Sequence, residues 1–271
     1  MGNNTNNYLK LLVDESTWYN EMLLPQFVRD VLPHFLQSWL RNCICGVFVF
    51  AISTLLLRLN YWKYYSSSPK ENVATRKEMM KQIKESMELM PSGALFLTVT
   101  EHLAETGWTR CYTRISDVGL IIYVLSTLVY LAVIEVWTYW IHRYMHEIRP
   151  IYRLIHSRHH SYNKESSLSP FAGWALHPLD GILMELPHGI AFLMVPTHFF
   201  THLALYLTEA MWGVLVHGKG FKLRWPFMDG DFHTIHHTSC QNNYGNFTIC
   251  MDKWFGTLRP PKDSIDTAKN K

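Results

Sequence analysis

The sequence predicts an all-α protein: an integral membrane helical bundle with a cytosolic-facing, histidine-rich site for two metal ions. Three observations carry that prediction. Apolar residues make up 48% of the 271 positions while charged residues reach only 17%, below the roughly 25% usual in soluble domains. Several apolar tracts approach or exceed the about 20 residues that a helix needs to cross a bilayer. Histidines gather in two short clusters, WIHRYMHEIRPIYRLIHSRHHSYN at 140–163 and DFHTIHHTS at 231–239.

The composition also excludes. A formal net charge of +3, evenly spread, argues against a nucleic-acid partner. Cys43, Cys45, Cys111, Cys240 and Cys250 are odd in number and form no C-x-x-C, so neither a disulfide framework nor a thiolate metal site is expected. The N-terminal stretch MGNNTNNYLKLLVDESTWYN lacks the apolar core of a secretory signal, and Asn6 stands where a myristoylation signal has Ser or Thr. No Gly/Ser linker divides the chain, so 1–271 reads as one membrane-embedded domain. Within it, 1–42 is an N-terminal segment, 43–141 holds the first spans and a basic loop, and 142–260 is the histidine region.

Taken in order, CICGVFVFAISTLLL (43–57) reads as a first span. Arg41 and Arg58 bracket it, and the aromatic belt of Tyr61, Trp62, Tyr64 and Tyr65 follows. Residues 66–90, with Lys70, Arg76, Lys77, Lys81 and Lys84, read as an exposed, cytosolic helical loop. GALFLTVTEHLAETGW (93–108) is apolar but broken by Glu101, His102 and Glu105; a weak span, a re-entrant segment and an interfacial helix all fit it. Residues 117–142 form a clear span that delivers His142 at its end. The tract 182–216 predicts a membrane hairpin of two helices with His217 at its exit. A hairpin returns the chain to the side it left, so the second histidine cluster can meet the first, and Lys219, Lys222 and Arg224 mark that side as cytosolic.

The spacings carry the chemistry. His142 and His146 are separated by four; His156, His159, His160 and His233, His236, His237 each repeat H-x-x-H-H. On a helix, positions three and four apart share a face, with Cβ atoms about 5–6 Å apart. Imidazole–metal bonds of about 2.0–2.1 Å let such neighbours close on one ion. Eight imidazoles exceed what one ion takes, so two ions are implied, typically about 3.5–4 Å apart. Imidazole suits zinc, copper, nickel and iron alike, so residue type does not name the metal. HEIRP at 146–150 has Pro150 where a zinc protease has its second histidine, and triplets on one face do not suit a haem held between facing helices.

The boxes HRYMH, HSRHH and HTIHH resemble those of the fatty acid hydroxylase and sterol desaturase superfamily of membrane di-iron oxidases. VDESTWYN, PHFLQSWLRN, SPFAGWALHPLDGILMELPH and NYGNFTICMDKWFGTL add a closer similarity to plant sterol C-5(6) desaturases, from about residue 8 to 260. The resemblance implies an endoplasmic reticulum enzyme that uses O2 to introduce a C5=C6 double bond into a Δ7-sterol. It implies two irons as cofactor, with electrons from NAD(P)H delivered by cytochrome b5 and its reductase. Carried over residue by residue, it makes His142, His146, His156, His159, His160, His233, His236 and His237 metal ligands, with His217 matching a further histidine of the pattern. His177, His188 and His202 are candidates for partners of those ligands or for buried polar residues. The likeness departs at Gly218 and Phe221, where plant C-5 desaturases usually have Asp and His. Two other readings stand beside it: an oxidase or hydroxylase of another sterol or triterpenoid, and a non-catalytic sterol-binding homologue.

Overall fold

The computed structural model describes residues 2–69, 73–164 and 166–261, with the side chains of 2–11 and 57–64 left aside. The side chains of Arg58, Tyr61, Trp62 and Tyr64, and Lys70 entirely, lie outside the described residues. Among those residues the secondary structure is helical, with two isolated β-bridges and no strand. We number the helices α1 (Gly2–Leu23), α2 (Gln26–Val31), α3 (His34–Ser67), α4 (Arg76–Glu105), α5 (Leu120–Glu147), α6 (Arg149–Leu154), α7 (Pro178–Met194), α8 (Phe199–Val216), α9 (Gly230–Ser239) and α10 (Cys250–Trp254).

Three helices are long and apolar enough to cross a membrane: α3 over His34–Leu56, α5 over Leu120–Glu147, and α8 over Phe199–Val216. The first expected span is therefore the middle of a longer helix. At 1.5 Å per residue α3 measures about 51 Å and α5 about 42 Å, both beyond the roughly 30 Å hydrocarbon thickness. His142 accordingly falls inside α5 rather than at its exit, with His146 one turn further along. The tract 182–216 holds most of α7 and all of α8, joined by a short connection, and α7 is not among the candidate spans.

The stretches 66–90 and 93–108 were expected to be separate features. Residues 76–105 form instead the single helix α4, which contains Pro91 and is not among the candidate spans. It opens on a reciprocal cap: Glu78 N–H donates to Thr75 Oγ1 (3.2 Å) and Thr75 N–H to Glu78 Oε2 (2.7 Å). Nor is its first half a free loop. Gln82 and Ser86 are fully buried, and they donate to the carbonyls of Ser167 (2.6 Å) and Phe171 (3.1 Å). Tyr162 Oη donates to Glu85 at 2.6 Å.

The chain separates into two compact units. The first comprises Met1–Val49, Met90–Ile134 and Glu185–Thr208; the second comprises Phe50–Leu89, Glu135–Met184 and Glu209–Lys271. In the first, Leu12, Ala104, Cys111 and Phe192 form a small apolar core. Beside it Arg41 pairs with Glu101 and donates to Ser16 O and Asn20 Oδ1, each at 3.1 Å. Buried charge of this kind persists because it is paired and hydrogen-bonded. In the second unit, Val216, Met228 and Ile249 pack with Trp212, Phe221 and Phe232.

Candidate metal centre

Nine histidines of the second unit assemble into two groups. His142, His146, His156, His160 and His236 form one; His159, His217, His233 and His237 form the other. Within each group the ligand-type atoms lie within 4.8 Å of one another. Every sequence-predicted site residue is thus brought to one of the two groups.

The triplets do not act as units. His156–Ser161 is a 3₁₀ turn rather than an α-helical face, and it sends His156 and His160 to the group of five but His159 to the group of four. On α9, His233 and His237 share a face as an i, i+4 pair and join the group of four, while His236 turns to the other. α9 is fixed at its start by Asp229, whose carboxylate accepts from the N–H groups of Asp231 and Phe232, and at its end by Cys240 at φ 57°.

The ring nitrogens face each other through Nε2. His156 and His146 approach to 3.1 Å, and His236 and His160 to 3.1 Å. His217 Nε2 lies 3.2, 3.0 and 3.0 Å from the Nε2 atoms of His159, His237 and His233. The outward Nδ1 atoms of four rings are tied to oxygen. His142 Nδ1–H donates to Tyr244 O (3.1 Å), His156 to Asp180 Oδ2 (2.8 Å), His236 to Asn242 O (2.8 Å), and His217 to Gly213 O. Fixing the proton on Nδ1 leaves the Nε2 lone pair aimed inward, which is how metal-ligating imidazoles are oriented. Converging lone pairs repel unless a cation sits among them, so these residues fit metal.

Burial favours the neutral form of six of these rings. It holds His236 down to about 3 and His217 to about 4, and pushes His159, His160, His233 and His237 well below the usual histidine range. Neutral imidazole is the ligating form.

A strap over 242–248 supports the group of five. Its Asn242 and Tyr244 carbonyls take two of the imidazoles, and the Tyr244 ring lies 5.4 Å from that of His146. Carboxylates hold the strap from behind. Asp252 accepts from Tyr244 N–H and Gly245 N–H (2.8 Å each), Glu135 from Thr248 N–H (2.9 Å), and Glu209 from the Asn246 side-chain amide (2.6 Å). A Cβ on Gly245 would lie 2.2 Å from Thr248 O, so only glycine lets the strap close.

The secondary candidates lie elsewhere. His177 Nδ1 accepts from Leu179 N–H (3.2 Å), at the start of α7. His188 and His202 flank Tyr130 Oη in the first unit, with Nδ1 atoms at 2.9 and 2.7 Å. None of the three joins either group. Sequence reasoning missed Asp180, although it closes the same HPLD motif that drew attention to His177. It also missed the strap, because carbonyl acceptors leave no residue-type signal.

The departure at Phe221 has a structural reason. α8 ends at Val216 and the chain turns over 217–220, so residue 221 does not stand one helical turn from His217. Phe221 packs edge-on to Trp212, with centroids 5.9 Å apart.

Comparison with known proteins agrees with this geometry. The fatty acid hydroxylase family model matches residues 127–257, which include all nine histidines. The chain is 44% identical to a Delta(7)-sterol-C5(6)-desaturase of Nicotiana tabacum, over 94% of this chain and 96% of that protein. It is 29% identical to the Delta(7)-sterol 5(6)-desaturase of Saccharomyces cerevisiae, over 94% and 68%, and 30% identical to human lathosterol oxidase, over 69% and 63%. No solved structure matches it. Because the likeness covers almost the whole of a plant relative as well as the histidine-bearing region, the chain belongs to the fatty acid hydroxylase family.

Proposed function

We propose that this protein is an O2-dependent sterol C5(6)-desaturase that introduces the C5=C6 double bond of a Δ7-sterol, with two non-haem irons held by the nine histidines. The observation that carries the reading is the inward convergence of nine imidazoles in two groups, in a chain 44% identical to a plant enzyme of that name. Removing two hydrogens from an unactivated CH–CH unit while reducing O2 to two waters consumes two electrons and two protons. Irons, when bound, supply the oxidising power that side chains lack.

The protein's own part is orientation and exclusion of water. Asp180, Tyr244 O and Asn242 O hold three rings in one tautomer. His236 and His237 are fully buried and His160 almost so, which keeps bulk water from the reacting centre. A sterol dissolves in the bilayer and enters from it. In this reading NAD(P)H-derived electrons arrive through cytochrome b5 and its reductase, in the endoplasmic reticulum, with the histidine groups on the cytosolic side.

Expression in cells that lack sterol C-5 desaturase tests the assignment. Mass spectrometry should show Δ5,7-sterols restored. An unchanged Δ7-sterol pool, with the protein present in microsomes and loaded with iron, would remove the substrate assignment and favour an oxidase of another sterol.

A further inference from the structure

An imidazole that grips an ion through Nε2 carries its proton on Nδ1, and the two groups differ in what receives that proton. In the group of five, three rings donate to oxygen: His142 to Tyr244 O (3.1 Å), His236 to Asn242 O (2.8 Å), and His156 to Asp180 (2.8 Å). His160 Nδ1 lies 3.5 Å from Cys240 Sγ. In the group of four, among the described residues, only His217 has an oxygen partner, the Gly213 carbonyl. The Nδ1 atoms of His159 and His237 are buried and meet no hydrogen-bond partner.

We propose that the two groups hold metal unequally: the group of five retains its ion, the group of four exchanges it, and Asp180 is the positioning residue behind the difference. Asp180 is completely buried. One of its oxygens takes the His156 proton, and the other, Oδ1, has no hydrogen-bond partner. An uncompensated anion one imidazole away favours a cation in the group of five, and its hydrogen bond fixes the ring and strengthens it as a donor. Asn242 O and Tyr244 O fix two more rings, through a strap that is itself held by Asp252 and Glu135. Those three rings cannot change tautomer without losing a bond to oxygen.

The group of four is free to do so. His159 or His237 can move its proton from Nδ1 to Nε2 and lose nothing, because neither Nδ1 has an acceptor. The new Nε2–H then points at the Nε2 of His217, 3.2 or 3.0 Å away. Departure of the ion is thus met by an internal hydrogen bond, which favours exchange. Among the described residues no carboxylate hydrogen-bonds to any of these four rings.

This inference rests on the two-ion reading above, and one experiment separates them. The full-length protein, purified with its iron, is challenged with excess chelator, and the metal left on it is measured over time by mass spectrometry. Two ions should leave in two phases at least about ten-fold apart, on the scale of outer-partner effects. His237→Ala should abolish the fast phase and leave one slowly released ion. Asp180→Asn, which keeps the shape and an acceptor but removes the charge, should speed the slow phase about 10–100-fold and leave the fast phase unchanged. A general loosening of the fold would accelerate both phases. Fewer than two ions on the fresh protein overturns the two-ion reading. Two ions leaving at one rate, a slow phase indifferent to Asp180→Asn, or loss of the slow phase in His237→Ala overturns the inference alone.

Discussion

Nine imidazoles of the second unit face one another, whereas two in the first unit, His188 and His202, face a phenol. All of these rings are buried except that of His146, which is half-buried. In the first unit Tyr130 Oη lies 2.9 Å from His188 Nδ1 and 2.7 Å from His202 Nδ1. A hydroxyl has one proton to give, so it donates to one ring and accepts from the other, and the two Nδ1 atoms meet a hydroxyl rather than each other. In the second unit's group of five the tied Nδ1 atoms of His142, His156 and His236 leave Nε2 lone pairs pointing inward, a pattern suited to a cation. What an imidazole faces, rather than how deeply it lies, separates a packing element from a ligand.

The strongest way to break this comparison is to remove one ring from each side. His236→Ala should empty the group of five and end sterol oxidation, a loss beyond the about 10–100-fold that follows when only an outer partner is removed. His202→Ala should leave metal content unchanged. Iron per chain, measured on both purified variants, decides it. Equal iron loss in the two would mean that the first-unit histidines also serve the metal.

Acid sharpens the contrast further. In metal-free protein burial holds His236 at about 3 and His217 at about 4, against 6.5 in an unfolded chain. As pH falls below 6.5 the unfolded chain takes up protons first, so these groups contribute their full stability above that value and lose it progressively toward pH 3 to 4. The thermal midpoint of chelator-treated protein should therefore drop between pH 7 and pH 5. A midpoint that stays flat or rises would show that the cluster accepts protons while folded.

Tyr130→Phe should act on stability alone. It removes the hydroxyl that two buried imidazoles share, at a cost of about 1–3 kcal/mol, and iron content should be unaffected. Asn246-Phe247-Thr248 is a formal glycosylation sequon, but the Asn246 amide is committed to Glu209 and the strap belongs to the cytosolic side in our reading. Mass spectrometry should find Asn246 bare, and a glycan there would reverse that topology.

How much of this was legible depends on the kind of signal. The apolar runs of α3, α5 and α8 are periodicity and length, which a sequence displays directly. Eight of the nine histidines are residue type at helical spacing, also visible, whereas His217 was singled out only through the resemblance. Their division between two groups is not, because it depends on a 3₁₀ turn at 156–161 and on the phase of α9. The expected exposed loop over 66–90 failed for a related reason: Gln82 and Ser86 are polar, and nothing local reveals that backbone carbonyls 85 residues away receive their protons. Asp180 was hidden by its neighbour His177, whose side chain does no more than accept a backbone N–H.

The smallest expected effect on metal comes from Phe221→His, which supplies the histidine that the resemblance to plant C-5 desaturases implies for that position. Were 217–221 helical, the new imidazole would stand one turn from His217 and extend the group of four. The chain turns there instead: Phe221 N–H donates to Gly218 O (3.0 Å), and Gly230 N–H donates to Phe221 O (3.0 Å). Those bonds hold the backbone at 221 against the start of α9, and the side chain packs with Trp212, Val216, Met228 and Ile249. An imidazole placed there exchanges apolar contacts for a half-buried polar ring, a destabilisation of about 1–3 kcal/mol. Iron per chain and the two release rates should stay as they are, while the thermal midpoint falls. A rise in bound iron would mean that the turn re-forms as helix once histidine is present. The group of four would then be an incomplete site that one substitution repairs, and its weak hold on metal would reflect a missing ligand rather than untethered rings.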